Sequence, residues 1–234
     1  MDRTNASFAR RPRRSIVSAP SRLRKAGEPY PRSHRPHQHH YALRKPIMSK
    51  PLKLVAVNGS TQQPSRTLAL VEALIAELDA RLHVDAHVIN LAEIARPLGG
   101  ALWRTELPTA IEAQLQAIES ADLVIAASPV YRGAYPGHFK HLFDLIGQDA
   151  LADKPVLLAA TGGSERHALV LEHQLRPLFG FLQALTLPIG VYATPADFES
   201  YTVQSPALRE RIQLAADRAA PLFAAHRRVA LKAA

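Results

Sequence analysis

The sequence predicts a doubly wound α/β domain, a five-stranded parallel sheet with helices on both faces. Two observations carry this. Short aliphatic runs such as Leu123 to Ala127 and Val156 to Ala160 are apolar on both faces, as strands buried on both sides of a parallel sheet must be. These runs alternate with stretches whose apolar residues recur at helical spacing.

Taken in order, Leu52 to Asn58 has strand composition and stops at the turn formers Gly59, Ser60 and Thr61. Leu68, Val71, Ile75, Leu78 and Leu82 follow at steps of 3, 4, 3 and 4, which sets them on one helical face. Val84 to Asn90 reads as the second strand, followed by a connection around Pro97 to Gly100. Thr109 to Ala121 is helical by composition and Asp122 to Ala127 is the third strand. Pro136 to Ile146 reads as a helix with proline in its first turn, where a missing N–H costs nothing. Pro155 to Ala160 is the fourth strand, Arg166 to Leu185 a long helix, Leu187 to Ala193 the fifth strand and Pro206 to Ala225 the last helix.

The 234 residues hold 29 Lys and Arg against 20 Asp and Glu, and the excess is local. Residues 1–47 carry 12 of the basic residues with only Asp2 and Glu28 opposing them, a net +10, so residues 48–234 are close to neutral at −1. The first segment, rich in Pro, Arg and His, lacks the apolar residues to fold alone. Met48 precedes the first strand by four residues, and translation is expected to begin there. A nucleic-acid-binding or membrane-binding arm, or a targeting peptide, is the competing use of the segment. The absence of cysteine excludes disulfide scaffolds, Cys-based metal sites and thiol catalysis. No apolar run approaches the roughly 18 residues that cross a bilayer, so no membrane partner is expected, and none of nucleic acid for the folded domain.

In a doubly wound sheet, ligands bind at the carboxyl ends of the strands beside the switch in strand order. That confines the search to three loops. The first, Asn58 to Thr67, is rich in hydroxyls. Ser60, Gln62, Ser65, Arg66 and Thr67 with helix N-terminal N–H groups suit a phosphomonoester. It matches neither a Walker A loop nor the G-x-G-x-x-G fingerprint. Helix capping by Ser65 or Thr67 is the simpler use of the same residues. The second, Ser128-Pro-Val-Tyr-Arg-Gly-Ala-Tyr-Pro-Gly137, offers Pro129, Val130 and Tyr131 to a planar ligand, or is merely a stiff turn. The third, Thr161-Gly-Gly-Ser164, gives an edge where Gly162 and Gly163 permit close approach.

In this order and at these strand ends, the motifs resemble the flavodoxin-like NAD(P)H-dependent FMN reductases. Within them the chain is most similar to the reductases of two-component alkanesulfonate and methanesulfonate monooxygenases. The matching residues are Gly59-Ser60, Pro64-Ser65-Arg66-Thr67, Ser128-Pro-Val-Tyr131, Gly137 and Ala160-Thr-Gly-Gly163. The resemblance spans about residues 50 to 226 and leaves residues 1–47 unmatched. It implies a cytoplasmic homodimer or homotetramer in which NADH or NADPH reduces FMN, the reduced flavin then leaving for an FMN-dependent monooxygenase. Relatives often carry an arginine where this chain has Gln62, which leaves Gln62 and Arg66 as alternative phosphate contacts. A quinone or azo-dye reductase with tightly bound FMN uses the same loops. An electron-carrier flavodoxin would be strongly acidic, unlike residues 48–234.

Leu171, Leu175, Leu178, Leu182 and Leu185 form the stripe of the long helix, and His173 falls about 200° away from it. Pro177 has no N–H for the carbonyl of residue 173, so a kink or wide π-type turn is expected there. The resemblance places at this point an inserted residue that makes a π-bulge beside the flavin, which would make His173 a determinant of flavin release. A solvated surface histidine is the plainer reading. His138 and His141, three apart, have no third metal-binding partner, and Trp103 is expected to pack.

Overall fold

In the computed structural model, which describes residues 50–233 and the side chains of residues 50–223, every sequence-predicted strand of the first half is present. Residues 1–47, with the expected start at Met48 and the basic segment, lie outside the described residues. Strands β1 (Leu52–Asn58) and β2 (Val84–Asn90) pair in parallel, Leu52 beside Val84 and Asn58 beside Asn90. On its other edge β1 pairs with β3 (Leu123–Pro129), and β3 with β4 (Pro155–Thr161), both in parallel. The fifth position beside β4 is shared by two short segments, β5 (Leu185–Thr186) and β6 (Val191–Ala193). The order is therefore β2-β1-β3-β4-β5, with β6 also on β4, the flavodoxin-like order that opens a crevice between β1 and β3.

The split of the fifth strand corrects the single run expected from Leu187 to Ala193. Pro188 has no N–H for the ladder, and side chains take over the carbonyls left there. Arg176 donates to Leu187 O at 3.1 Å and Arg211 to Gly190 O at 3.0 Å.

Successive residues of each strand feed opposite cores. Val55, Val57, Val124, Ala126, Val156 and Leu158 face one side; Leu54, Ala56, Leu123, Ile125, Leu157 and Ala159 face the other. Helices α1 (Arg66–Leu82) and α6 (Pro206–Ala233) cover the second core. In α1 the buried centre is Leu70, Leu74 and Leu78, with Leu68 and Ile75 only half-buried at its flanks. The first core is covered by α2 (Leu91–Gly99), α3 (Thr109–Glu119) and α4 (Gly137–Asp144), with α5 (Arg176–Phe181) behind them. Phe139, Phe143 and Phe179 run through it with ring centroids 4.9 Å apart at each step. Each such buried ring stabilises the fold by about 1.5–3 kcal/mol relative to exposure.

The structure differs from the sequence reading at further places. The stretch leading to Pro97–Gly100 is not a plain connection but helix α2. Asn90 accepts from Ala92 N at 3.4 Å as its cap, and Leu91, Ala95 and Leu98 are buried at steps of 4 and 3. Trp103 does not pack; it is 69% exposed. The long helix from Arg166 to Leu185 is interrupted: a 3-10 turn (Glu165–His167) precedes a π-helical segment (Leu171–Leu175), the wide turn expected at His173 ahead of Pro177, and α5 follows it. Leu185, expected on its stripe, is in β5 and exposed. A short antiparallel hairpin, β7 (Phe198–Glu199) and β8 (Thr202–Val203), follows β6 without having been anticipated.

Candidate functional site

Where β1 ends, the chain turns flush against the tip of β3. Gly59 N donates to Ala127 O at 2.7 Å, and a Cβ on Gly59 would sit 2.7 Å from the Phe139 ring and 2.9 Å from Ala127 O. Only glycine fits, and the close passage aims the next residues over the crevice. Asn58, buried, spans the ends of β1 and β2 by donating to Asn90 Oδ1 at 2.9 Å, and its own Oδ1 accepts from Ser60 N at 3.2 Å. Ser60 Oγ accepts from Gln62 N at 3.2 Å and curls the loop. Ser65 caps α1, its Oγ accepting from Thr67 N at 3.1 Å and Leu68 N at 3.3 Å. The capping role anticipated for Ser65 is therefore real, and its hydroxyl hydrogen remains available to a ligand. Thr67 Oγ1 lies 2.7 Å from Thr161 Oγ1.

The second loop is held by a two-residue hairpin turn. Tyr131 and Ala134 exchange backbone hydrogen bonds of 2.8 and 3.2 Å, with Arg132 and Gly133 at φ 54° and 87° between them, the left-handed pair such turns require. Val130 N donates to Thr161 O at 2.8 Å and fixes this loop to the third. In the third loop Tyr192 of β6 donates its hydroxyl to Ser164 O at 2.6 Å, and a Cβ on Gly162 would lie 2.0 Å from that hydroxyl oxygen. Burial pushes the Tyr192 phenol up from its ordinary pKa, which keeps it a donor. Gly163 has no heavy atom within 4 Å of a Cβ position and forms an open edge.

These loops border one open cleft of about 200 Å³. The structure brings together every cofactor-binding candidate: Ser60, Gln62, Ser65, Arg66, Thr67, Pro129, Val130, Tyr131, Thr161, Gly162 and Gly163 all line it. His173 does not. It is exposed on the π-helical segment, whose Leu171 and Glu172 border a second hollow with Tyr192 and Thr194. Thr194, Pro195 and Tyr201 also line the cleft and were missed. The first two follow a strand end and repeat the hydroxyl-proline composition of the first loop, a signal that was there to read. Tyr201 had none. His141 Nε2 lies 2.8 Å from Ala101 O and 3.2 Å from Leu98 O, which ties α4 to the end of α2.

The lining has a definite chemistry. Hydroxyls gather at the α1 end and glycines at the β4 end. Among the described lining residues none is acidic and Arg66 is the only charged one. Its guanidinium lies over the Tyr201 ring, 5.6 Å from the centroid. This set suits a monoanionic or dianionic phosphate at one end and a flat ring against the open glycine edge at the other.

Comparison with known proteins places the chain. The family model described as NADPH-dependent FMN reductase matches residues 52–199. A protein of Pseudomonas putida named "NADH-dependent FMN reductase SfnE" is 68% identical over 179 residues, 76% of this chain and 96% of its own length. An "FMN reductase (NADPH)" of Pseudomonas aeruginosa is 64% identical over 176 residues, 75% of this chain and 95% of its own. Among solved structures, an oxidoreductase from Corynebacterium diphtheriae is 33% identical with a TM-score of 0.66, over 74% of this chain and 97% of that one. With its strand order, its cleft at the switch point and this family match, the chain belongs to the NADPH-dependent FMN reductase family and is an NAD(P)H:FMN oxidoreductase.

Proposed function

We propose that this cleft takes FMN as a passing substrate and that the reduced flavin is handed to an FMN-dependent monooxygenase of alkanesulfonate or methanesulfonate metabolism. The observation that carries the reading is the polarity of the cleft, with hydroxyls and one arginine at the α1 end, glycines at the β4 end and no acidic group between. Ser60, Ser65, Thr67 and Arg66 hold the phosphate, Arg66 rather than Gln62 supplying the charge. Pro129, Val130, Tyr131, Gly162 and Gly163 hold the ring. When bound, FMN supplies the redox chemistry by accepting hydride from the nicotinamide.

The protein's share is orientation and exclusion of water. Thr67 and Thr161 lock the two ends of the cleft together, and Tyr192 fixes the glycine edge. None of these contacts demands a protein acid or base. An open cleft of about 200 Å³ encloses only part of a ligand, compared with the roughly 300–1,000 Å³ pockets that bury one nearly whole. That accords with a flavin that leaves.

Anaerobic stopped-flow on the full chain, titrating FMN against NADH and NADPH in turn, tests the reading. Oxidation of the nicotinamide in proportion to added FMN, with flavin lost on gel filtration, is expected. Steady turnover of quinone at catalytic FMN, with flavin retained, would instead mark a quinone or azo-dye reductase.

A further inference from the structure

Arg66 borders the cleft, and among the described residues it has no ion pair and no carboxylate or carbonyl accepts from its guanidinium. The guanidinium lies over the ring of Tyr201, 5.6 Å from Cζ to the centroid. A guanidinium held by a ring face spends none of its five N–H donors, which lie in the guanidinium plane and remain free for an anion. An unbraced arginine on an exposed helix start would lose much rotamer freedom on meeting a phosphate. One already stacked loses less.

The support beneath Tyr201 is strained. Ser200 and Tyr201 form the two-residue turn between β7 and β8 with φ of 44° and 66°, a left-handed pair usually given to Asn and Gly. Strain of this kind persists where the surroundings over-determine it and clusters at ligand sites. The surroundings here are the cleft wall. Gln204 N and Ser205 N donate to Asp197 O at 2.9 and 3.2 Å, and the Asp197 carboxylate accepts from Thr194 N at 2.7 Å. Thr194 and Pro195 line the cleft beside Tyr201.

We propose that Tyr201 is a specificity-determining positioning residue: it pre-stacks Arg66 so that the guanidinium edge meets the flavin phosphate, and thereby sets the preference for FMN over unphosphorylated riboflavin. This rests on the reading that the α1 end of the cleft takes the phosphate.

The test is steady-state kinetics on the full chain with FMN and with riboflavin, comparing kcat/KM for the two flavins in the wild type, Arg66→Gln, Tyr201→Gly and Tyr201→Phe. Tyr201→Gly removes the ring and suits the left-handed turn, so the variant is expected to melt at or above the wild-type temperature. It should nevertheless raise the FMN KM about fivefold, move the riboflavin KM less than twofold and so lower the FMN preference. Tyr201→Phe keeps the ring and the wild-type ratio. Arg66→Gln abolishes the preference. If Arg66→Gln abolishes it while Tyr201→Gly leaves it intact, the role of Tyr201 is overturned and the phosphate reading stands. If Arg66→Gln itself leaves the ratio unchanged, the phosphate is not at Arg66 and both fall.

Discussion

The hydroxyl oxygens of Thr67 and Thr161 meet at 2.7 Å across the tip of β3, both side chains buried, and join the first turn of α1 to the last residue of β4. The bond ties the hydroxyl end of the cleft to the glycine end. Replacing either threonine by valine keeps the shape and strands the other hydroxyl, at a cost of about 1–3 kcal/mol. Replacing both leaves no orphan and should cost less than the sum of the two single changes. Urea midpoints of the four proteins check this. Additive costs would show that the two hydroxyls do not depend on each other. The double variant should still raise the FMN KM, because both positions face the cleft.

Gly162 and Tyr192 compete for one place. A Cβ on Gly162 would lie 2.0 Å from the Tyr192 hydroxyl oxygen but 3.0 Å from the ring carbon that bears it. Gly162→Ala must therefore push the ring aside and break the bond to Ser164 O, with the FMN KM rising about tenfold or more. Adding Tyr192→Phe to Gly162→Ala removes the worst clash and should recover part of the loss. Tyr192→Phe alone forfeits one hydrogen bond, worth about 0.5–1.5 kcal/mol. A double variant no better than Gly162→Ala would refute the wedge. FMN titration monitored by nicotinamide oxidation supplies the measurement.

Of the first four strands, legible to within two residues, β3 and β4 are runs apolar on both faces, and burial on both faces is what fixes a parallel strand; β2 (VDAHVIN), exposed over much of its length, was bounded instead by its place between α1 and the Asn90 cap. The cleft was legible because the switch in strand order narrows the search to strand ends before any residue is weighed. Helix α2 was missed since Pro97 and Gly99 outweighed the Asn90 cap and the buried Leu91, Ala95 and Leu98. The fifth strand was read as continuous although Pro188, which cannot donate to the ladder, lies within the run; what sequence could not show is that Arg176 and Arg211, from other elements, take up its free carbonyls. Tyr201 could not be found at all. Ser-Tyr is a poor turn pair by local preference, and its position is dictated by contacts distant in sequence.

The loop carrying exposed Trp103 is pinned by Arg104, which reaches both Glu112, through Nη2 at 2.7 Å, and Glu119. Glu119 also accepts from Gly147 N at 2.7 Å and stands at the carboxyl end of α3, where a negative charge is otherwise unfavourable. The hydrogen bond from Arg104 holds the Glu119 carboxyl below its ordinary 4.5, and Glu112 is lowered by the same arginine. Folded values below the unfolded ones mean that this stability is fully present above about pH 4.5 and lost as pH falls through the folded values. Arg104→Met should remove it. Urea midpoints at pH 7 and pH 4 are expected to differ less in Arg104→Met than in the wild type. An equal drop in the two would place the acid sensitivity elsewhere.

The π-helical segment Leu171–Leu175 closes with Arg176 N donating to Leu171 O, and Pro177 behind it has no N–H to draw the chain back into α geometry. His173 is the exposed residue at the centre of the widened turn. Its neighbours Leu171 and Glu172 border the hollow shared with Tyr192 and Thr194, and those two reach the cleft proposed for FMN, Thr194 as lining and Tyr192 through Gly162 and Ser164. A change in the turn therefore has a contiguous route to the glycine edge. His173→Ala is expected to leave more FMN bound through purification, and deletion of His173, which shortens the widened turn by one residue, more again. Flavin absorbance per chain after gel filtration, with the FMN KM, decides it. Flavin content and KM unchanged in both variants would make the widened turn a packing accommodation around Pro177, with no hold over the cleft.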